Sequence, residues 1–177
     1  PALRNVSVLR LVRNLGHQRA ICVGLCHALE STQEEYVVVM DADGEDAPSD
    51  VPRLVARAIE EGGRAVVFAE RSKRSESLLF RLGYVAFRAL HALLTGQGIR
   101  QGNFSVVPRA RLRSLCHVAE AWSHYAAAIC VSRIPFRHVP TVRASRYCGH
   151  SSMNTVGLVR HGLSAITVFA DLAGIRL

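Results

Sequence analysis

Four carboxylates follow an apolar run in the segment V-V-V-M-D-A-D-G-E-D, which spans Val37 to Asp46. The chain as a whole is basic, since 22 Lys and Arg face 14 Asp and Glu and the formal net charge is +8. Carboxylates at the carboxyl end of a central parallel strand stand where ligands bind in open α/β sheets. If the backbone bends after Met40, Asp41 and Asp43 turn toward one point, and such a pair suits a hard divalent cation that keeps waters and substrate phosphates. The segment therefore predicts a site for a metal that carries a diphosphate.

Other kinds of loop also begin with D-x-D. An EF-hand calcium loop needs Gly at its sixth position and Glu at its twelfth, where this chain has Asp46 and Pro52, so an EF-hand is excluded. A phosphatase of the haloacid-dehalogenase type carries Thr or Val after D-x-D-G, whereas this chain has Glu45 and no later Asp-Asp pair. A solvated turn that only caps the next helix is the structural alternative. The last two interpretations stay open on this segment alone.

Strands and helices alternate along the first seventy residues, as they do in an α/β layer with a mostly parallel sheet. The alternation of Val6–Val12 is typical of a strand, and the run 35–40, apolar on both faces, is typical of a central parallel strand. A third strand is predicted at Arg64–Glu70. Helices are predicted between the strands, over 16–32 and from Pro48 to about Glu61.

The second half of the chain is richer in predicted helices. A long helix is predicted from Ser75, a suitable N-cap, to Gly96, a suitable stop. Residues 102–109 read as a short strand that leads into a helix after Pro108, and residues 133–154 are predicted to be extended and rich in loops. An amphipathic helix is predicted over 155–172. Since no repeat or linker interrupts the chain, we expect one domain over 1–177, with an interfacial helix in 155–177.

The composition excludes several classes of protein. Hydrophobic residues make up 49% and charged residues 20%, which is typical of a folded domain. With 6% aromatic residues and no stacking motif, the basic charge does not predict nucleic-acid binding. Five cysteines without a Cys-x-x-Cys pair predict free thiols, and the eight histidines lack metal-ligand spacing. No run reaches the roughly 18 apolar residues that span a bilayer.

Four blocks of the chain resemble family 2 glycosyltransferases, in particular the branch of dolichyl-phosphate mannose synthase and bacterial polyprenyl-phosphate glycosyltransferases. The acidic segment D-A-D-G-E-D-A-P is similar to that family's D-A-D-x-Q-D-x-P. Upstream, R-N-L-G-H-Q-R-A-I-C-V-G-L-C-H-A resembles R-N-x-G-x-x-x-A-x-x-x-G-L-x-x-A. Downstream, G-N-F-S-V-V-P-R resembles G-D-F-x-x-x-x-R and R-Y-C-G-H-S resembles R-x-x-G-x-S. The blocks stand in the family's order and cover most of the chain.

The resemblance implies an α/β fold of the nucleotide-sugar-binding GT-A type, in which helices flank a mostly parallel sheet. The family normally opens with a strand–helix–strand unit that reads the nucleotide base, so the fold is expected to be incomplete at the N-terminus. The implied activity is metal-dependent, inverting transfer of a glycosyl group from a nucleotide diphosphate sugar to a polyprenyl or dolichyl phosphate. The alternatives are a soluble glycosyltransferase with a hydroxyl acceptor, and a non-catalytic remnant or partner subunit that retains the fold.

The resemblance also assigns residues to the donor side of the reaction. Asp41, Asp43 and Glu45 are expected to hold Mg²⁺ or Mn²⁺, with Glu45 standing where the family usually has Gln. Arg146 and Ser151, from the R-x-x-G-x-S loop, are expected to close over the nucleotide diphosphate, which Asp41 also contacts.

Further residues are assigned to catalysis and to the acceptor. Asp43 and Asp46 are the predicted catalytic carboxylates. Arg71, Arg81 and Asn103 are expected to bind the acceptor phosphate.

Asn103 is a departure, because the family often has Asp there and an amide cannot act as a general base. A phosphate monoester has its second pKa near 6, so its oxygen is already an anion at neutral pH and needs no base. A hydroxyl acceptor needs one. The departure therefore favours a lipid phosphate, with Asp46 or Glu120 as alternatives for a base.

A membrane surface is the last expected partner. Arg74, Arg81 and Arg88 recur every seven residues, and a helix with such a basic stripe opposite an apolar face suits lipid head groups. The expected location is the cytoplasmic side of a membrane, with the protein peripheral or anchored by segments outside this chain.

Overall fold

The computed structural model describes residues 5–71, 93, 101–142, 144–147 and 163–176. Four strands in these residues form one sheet, and helices pack on both of its faces. The strands are β1 (Tyr36–Val39), β2 (Val66–Arg71), β3 (Ser105–Pro108) and β4 (Phe136–Thr141). The helices are α1 (His17–Ser31), α2 (Val51–Glu60), α3 (Arg109–Cys116), α4 (Tyr125–Val131) and α5 (Ala170–Arg176), with 3-10 turns at Pro48–Asp50 and Ala119–Trp122.

The strand order is β1-β3-β2-β4. Strand β3 pairs antiparallel with both β1 and β2, and β4 pairs parallel with β2. Three of the four strands therefore run in the same direction, and β3 runs against them in the middle of the sheet. The predicted α/β class with flanking helices is confirmed. In the described residues, however, two of the three strand pairings are antiparallel, and β1, which was predicted to be a central parallel strand, lies at one end of the strand order and pairs antiparallel with β3.

The predicted strand at Val6–Val12 is wrong. The backbone there forms no strand, and the side chains of Val6 and Val12 are 77% and 106% exposed. Alternation alone does not make a strand, because the backbone N–H and C=O groups also need a neighbouring strand to pair with. In the part of the chain that the structure describes, β1 pairs only with β3 and offers this segment no partner.

The core lies on both faces of the sheet, as the apolar strands predict. Val66 and Phe68 of β2 pack with α1, α3 and α4 on one face, while Val67 and Ala69 pack with α2 on the other. The alternation arises because successive side chains of a strand point to opposite faces. Each fully buried Val or Phe side chain stabilises the fold by about 1.5–3 kcal/mol, so the two layers fix the sheet that carries the loops.

Helix α2 ends as its sequence predicts but begins at Val51, because the predicted first residues form the 3-10 turn Pro48–Asp50. Pro52 occupies the first turn of α2, where a missing N–H costs nothing. Gly62 and Gly63 follow its end with φ of 61° and 65°, and their N–H groups donate to the carbonyls of Ile59 and Ala58. The predicted end near Glu61 is thus confirmed to within one residue.

Several strand ends and the loops that follow them meet at one edge of the sheet. The carboxyl ends of β1, β2 and β4 lie at this edge because the three strands run in the same direction. Strand β3 runs the other way, so its amino end, preceded by Asn103, reaches the same edge. The acidic loop, defined here as residues 41–46, follows β1 directly.

Several predicted elements lie partly or wholly outside the described residues. The helix predicted from Ser75 to Gly96 is among these. For the predicted helix 155–172, the described part is helical over 163–167 and in α5, with a turn at 168–169 between them. None of the helices in the described residues combines the length and the apolar character needed to cross a bilayer. The single domain and the interfacial role of 155–177 stay predictions.

Candidate functional site

The acidic loop is shaped by its own carboxylates. The backbone N–H of Asp41 donates to Oδ2 of Asp46 over 2.9 Å, and the N–H of Glu45 donates to Oδ1 of Asp43 over 3.0 Å. Asp46 is buried, with 3% of its surface exposed. These contacts bend the chain just after β1, as the sequence requires for a site there. Asp46 thus holds the bend, and its predicted catalytic role stays a prediction.

Asp43 and Glu45 both contact the guanidinium of Arg146. Its Nη2 lies 3.0 Å from Oδ2 of Asp43 and 3.2 Å from Oε1 of Glu45, and its Nε lies 3.3 Å from the same Oε1. The three side chains are only 26%, 28% and 13% exposed, for Arg146, Asp43 and Glu45 respectively. Partial burial makes such an ion pair stronger than one in open water. Two carboxylates of the loop therefore converge on one cationic group.

The backbone around Arg146 is joined to the acidic loop as well. The N–H of Ala144 donates to the carbonyl of Glu45 over 3.0 Å, and the N–H of Tyr147 donates to the carbonyl of Asp43 over 2.9 Å. The sequence predicted that the segment containing Arg146 closes over a nucleotide diphosphate. In the structure this segment, residues 144–147, lies directly on the acidic loop, which is where such a ligand would meet both.

Gly44 makes this close approach possible. Its φ is 91°, and a Cβ atom built on it would lie 2.5 Å from Cδ2 of the Tyr147 ring. We expect Gly44→Ala to destabilise the fold by about 2–3 kcal/mol, because a left-handed backbone costs an L-residue roughly 1–2 kcal/mol and the ring must also move away. Urea unfolding of the wild type and the variant measures the difference.

Gly62→Ala is the matched control for Gly44→Ala. Gly62 also has a positive φ, of 61°, but the nearest atom to its added Cβ is Nε of the flexible Arg64 side chain at 3.5 Å. The backbone penalty is therefore similar and the clash is absent. Adding Tyr147→Ala should recover the excess cost of Gly44→Ala over Gly62→Ala. Equal losses for the two glycine variants would show that Tyr147 does not press on the loop.

Asp41 lies toward the start of α1. Its Oδ1 is 3.7 Å from Nε2 of His17, and that nitrogen is 2.7 Å from Nδ2 of Asn103. His17 was not among the predicted site residues, because the histidines of the chain lack the spacing of metal ligands. The signal was present in the R-N-x-G block, since His17 follows its Gly and begins the helix that the block predicts. The structure thus brings Asp41, His17 and Asn103 together at one edge.

The acidic loop offers two of the oxygen ligands that a hard cation needs, from Asp43 and Glu45. Asp43 and Glu45 bind the Arg146 guanidinium, which shows that their oxygens converge on a positive charge. Within the residues that the structure describes, no three His, Cys, Asp or Glu side chains are arranged to hold a metal ion. Two carboxylates remain a sufficient protein contribution where substrate phosphates and waters supply the other oxygens, as is usual for Mg²⁺.

Other predicted site residues fall outside the described part. Arg71 is the last residue of β2, but its side chain is outside the described part, as are Arg81 and Ser151. Their predicted roles stay predictions. His124 is buried and accepts a hydrogen bond from the N–H of Ala127 through Nδ1, over 3.3 Å. That contact makes it the cap of α4.

The described cysteines are free thiols, as predicted. Burial raises the pKa of Cys116 to about 12, with the neighbouring Cys26 as a further cause. Burial likewise raises the pKa of Cys130 to about 11. Since the thiolate is the form that binds metals and reacts, these raised pKa values indicate packing rather than chemistry.

The sequence is similar to known glycosyltransferases. A family model described as "Glycosyl transferase family 2" matches residues 2–112. Proteins named "Undecaprenyl-phosphate 4-deoxy-4-formamido-L-arabinose transferase" from Salmonella paratyphi B, Salmonella newport and Salmonella heidelberg are each 29% identical over 160 residues. The match covers 87% of this chain and 46% of each relative, so the chain spans about half the length of those relatives.

Proposed function

Because the chain belongs to glycosyl transferase family 2, we propose that it transfers a glycosyl group from a nucleotide diphosphate sugar to a polyprenyl phosphate. Membership of this family confirms the predicted class of glycosyltransferase. The printed names of the similar Salmonella proteins, which specify undecaprenyl phosphate, support the lipid phosphate as acceptor. Mg²⁺ or Mn²⁺ as cofactor and inversion at the anomeric carbon are parts of the proposal.

The observation that carries the proposal is the convergence of Asp43 and Glu45 on a single positive charge. The loop that holds them follows β1 at the edge where β2 and β4 also end. An anionic diphosphate cannot bind next to these carboxylates without a cation between them, because like charges in a partly buried site repel. Asp43 and Glu45 would hold a divalent ion that removes this conflict, and Asp41 stays a predicted further ligand.

The proposed reaction needs little from the protein beyond positioning and charge. An oxygen of the acceptor phosphate attacks the anomeric carbon from the face opposite the diphosphate. The bond from that carbon to the diphosphate oxygen breaks, and its electron pair leaves with the nucleotide diphosphate. No proton is transferred, because the attacking oxygen is already an anion. A bound divalent cation supplies charge stabilisation of the leaving diphosphate.

Some residues of the chain bind the sugar donor and others bind the acceptor. On the donor side, Arg146 turns from the carboxylates to the diphosphate, and Ser151 closes over the same group. On the acceptor side, Arg71, Arg81 and Asn103 hold the phosphate in line behind the anomeric carbon, which lowers the entropic cost of the attack. The net charge of +8 favours a protein peripheral to the anionic cytoplasmic face of a membrane.

A transfer assay with two acceptors tests the proposal. The protein is incubated with labelled nucleotide sugars, with Mn²⁺ or with EDTA, and with either polyprenyl phosphate or the matching polyprenol. We expect labelled lipid only with the phosphate and only with Mn²⁺. Labelling of the polyprenol would indicate a hydroxyl acceptor, and the absence of transfer and of nucleotide binding would indicate a non-catalytic remnant. Either result would overturn the proposal.

A further inference from the structure

A chain of hydrogen bonds with a fixed direction passes through Asn103 and reaches His17. It begins at the backbone N–H of Tyr125, which can only donate, and which lies 2.8 Å from Oε1 of Gln18. The amide nitrogen of Gln18 must therefore face the other way, and it donates to Oδ1 of Asn103 over 3.2 Å. With its oxygen engaged, Asn103 presents its NH₂ group to Nε2 of His17 over 2.7 Å. His17 thus accepts through Nε2, so that its proton lies on Nδ1.

Tyr125 also anchors the backbone of Asn103, through the hydroxyl of Ser105. Ser105 donates its single hydroxyl proton to the carbonyl of Asn103 over 2.9 Å. The hydroxyl of Tyr125, 2.7 Å from the same Ser105 oxygen, must then donate to it. Ser105 and Tyr125 are fully buried, and unpaired polar groups are costly there. Tyr125 therefore anchors both the main chain and, through Gln18, the side chain of Asn103.

The fixed direction determines what Asn103 offers at the edge of the sheet. Its carboxamide nitrogen carries two hydrogens, and one of them is used by His17. No other contact of Asn103 in the described residues uses the second. The group beside Asp41 is therefore a hydrogen-bond donor, whereas an Asp at this position would present a carboxylate oxygen. A donor suits an anionic oxygen, and hydrogen bonds to ionised groups are the stronger ones.

We infer that Gln18 is a positioning residue that turns the Asn103 amide outward to donate to the anionic oxygen of the acceptor phosphate. This inference rests on the proposed function for the identity of the acceptor. Gln18 itself does not touch the substrate. Its two hydrogen bonds determine which end of the Asn103 carboxamide faces the site. The amide nitrogen attracts a phosphate oxygen, whereas the amide oxygen would repel it.

Gln18→Glu tests the geometry without any substrate. The introduced carboxylate still accepts from the N–H of Tyr125 but cannot donate to Asn103, so the Asn103 carboxamide should turn over and present its oxygen to His17. Nitrogen NMR of the neutral imidazole should find the His17 proton on Nδ1 in the wild type and on Nε2 in the variant. The same tautomer in both proteins would overturn the inference, whether or not the protein transfers sugar.

Kinetics test the functional part. We expect Gln18→Glu to raise the KM for polyprenyl phosphate roughly ten- to hundredfold, the effect of one lost hydrogen bond to a charged group, with the KM for the donor unchanged. Gln33→Glu, which makes the same charge change at an exposed position after α1, should change neither KM. An acidic residue in the first turn of a helix is favourable, so the Gln18→Glu protein should remain folded.

Gln18→Met provides a second variant without added charge. It removes both hydrogen bonds, and it should also raise the acceptor KM selectively in the wild type. In an Asn103→Asp background, where the outward N–H is already absent, it should add little. An unchanged acceptor KM in an active Gln18→Glu or Gln18→Met protein would overturn the inference and leave the proposed function intact. Inactivity of the wild type would instead contradict the proposed function.

Discussion

Asp43→Asn is expected to reduce glycosyl transfer by roughly a hundred- to a thousandfold, the range seen when a group that stabilises transition-state charge is removed. The substitution removes one of the two negative charges that converge on Arg146. It keeps the size of the side chain, and the Asn oxygen still accepts the N–H of Glu45 that bends the loop. The loss should therefore appear in Mn²⁺-dependent binding of UDP or GDP and in transfer, while unfolding by urea changes little.

Asp50→Asn is the matched control for Asp43→Asn. Asp50 pairs with Arg53 over 2.9 Å beside α2, outside the acidic loop. The control makes the same chemical change with the same effect on net charge, and we expect activity close to that of the wild type. If Asp43→Asn transferred sugar as fast as Asp50→Asn did, Asp43 would have no part in holding the metal.

Arg146→Gln should have opposite effects on two affinities. Without nucleotide, the guanidinium occupies the oxygens that the cation needs, so its removal should strengthen Mn²⁺ binding roughly three- to tenfold, given the modest energy of a partly exposed ion pair. With Mn²⁺ present, binding of UDP or GDP should weaken by about tenfold or more, because Arg146 no longer contacts the diphosphate. Calorimetry with each ligand measures both effects.

The control for Arg146→Gln is Arg53→Gln. Arg53 is outside the acidic loop and contacts Asp50 and the carbonyl of Pro140, so neither affinity should change. Weaker Mn²⁺ binding by Arg146→Gln would mean that the arginine supports the carboxylates rather than competing with the metal. Unchanged nucleotide binding would remove Arg146 from the donor site.

Local patterns were sufficient to predict the elements that carry the acidic loop. The apolar run of β1 predicts a strand that packs against the core on both faces, where its side chains are partly buried, and Pro and Gly residues fix the two ends of α2. The strand β3 and the helix after it were also correct, because Pro108 separates a buried run from a helical one. The position of Asp41 and Asp43 just after the carboxyl end of β1 follows from those elements.

The pairing of strands distant in sequence could not be predicted from the sequence. Nothing in residues 102–109 indicates that β3 inserts between β1 and β2 against their direction. Nothing in the alternation of Val6–Val12 indicates that a partner strand is missing from the described residues. Both outcomes depend on which backbone groups meet in space, and a periodicity of two residues carries no information on that.

Contacts between residues of the site that are distant in sequence could not be predicted either. The pairing of Arg146 with Glu45 joins residues far apart in sequence, and the missing Cβ of Gly44 leaves room for the ring of the neighbouring Tyr147. The link from Tyr125 through Gln18 to Asn103 depends on the packing of α4 beside α1. The resemblance placed Arg146 and Asn103 near the substrates, and the structure adds what holds them.

A crystal structure of the protein with Mn²⁺ and UDP or GDP tests the metal site most directly, because manganese can be located by its anomalous scattering. We predict a manganese peak between the carboxylates of Asp43 and Glu45, with the guanidinium of Arg146 moved onto the diphosphate. A peak elsewhere, or Arg146 still paired with both carboxylates beside a bound nucleotide, would contradict the proposal that these carboxylates bind the cation.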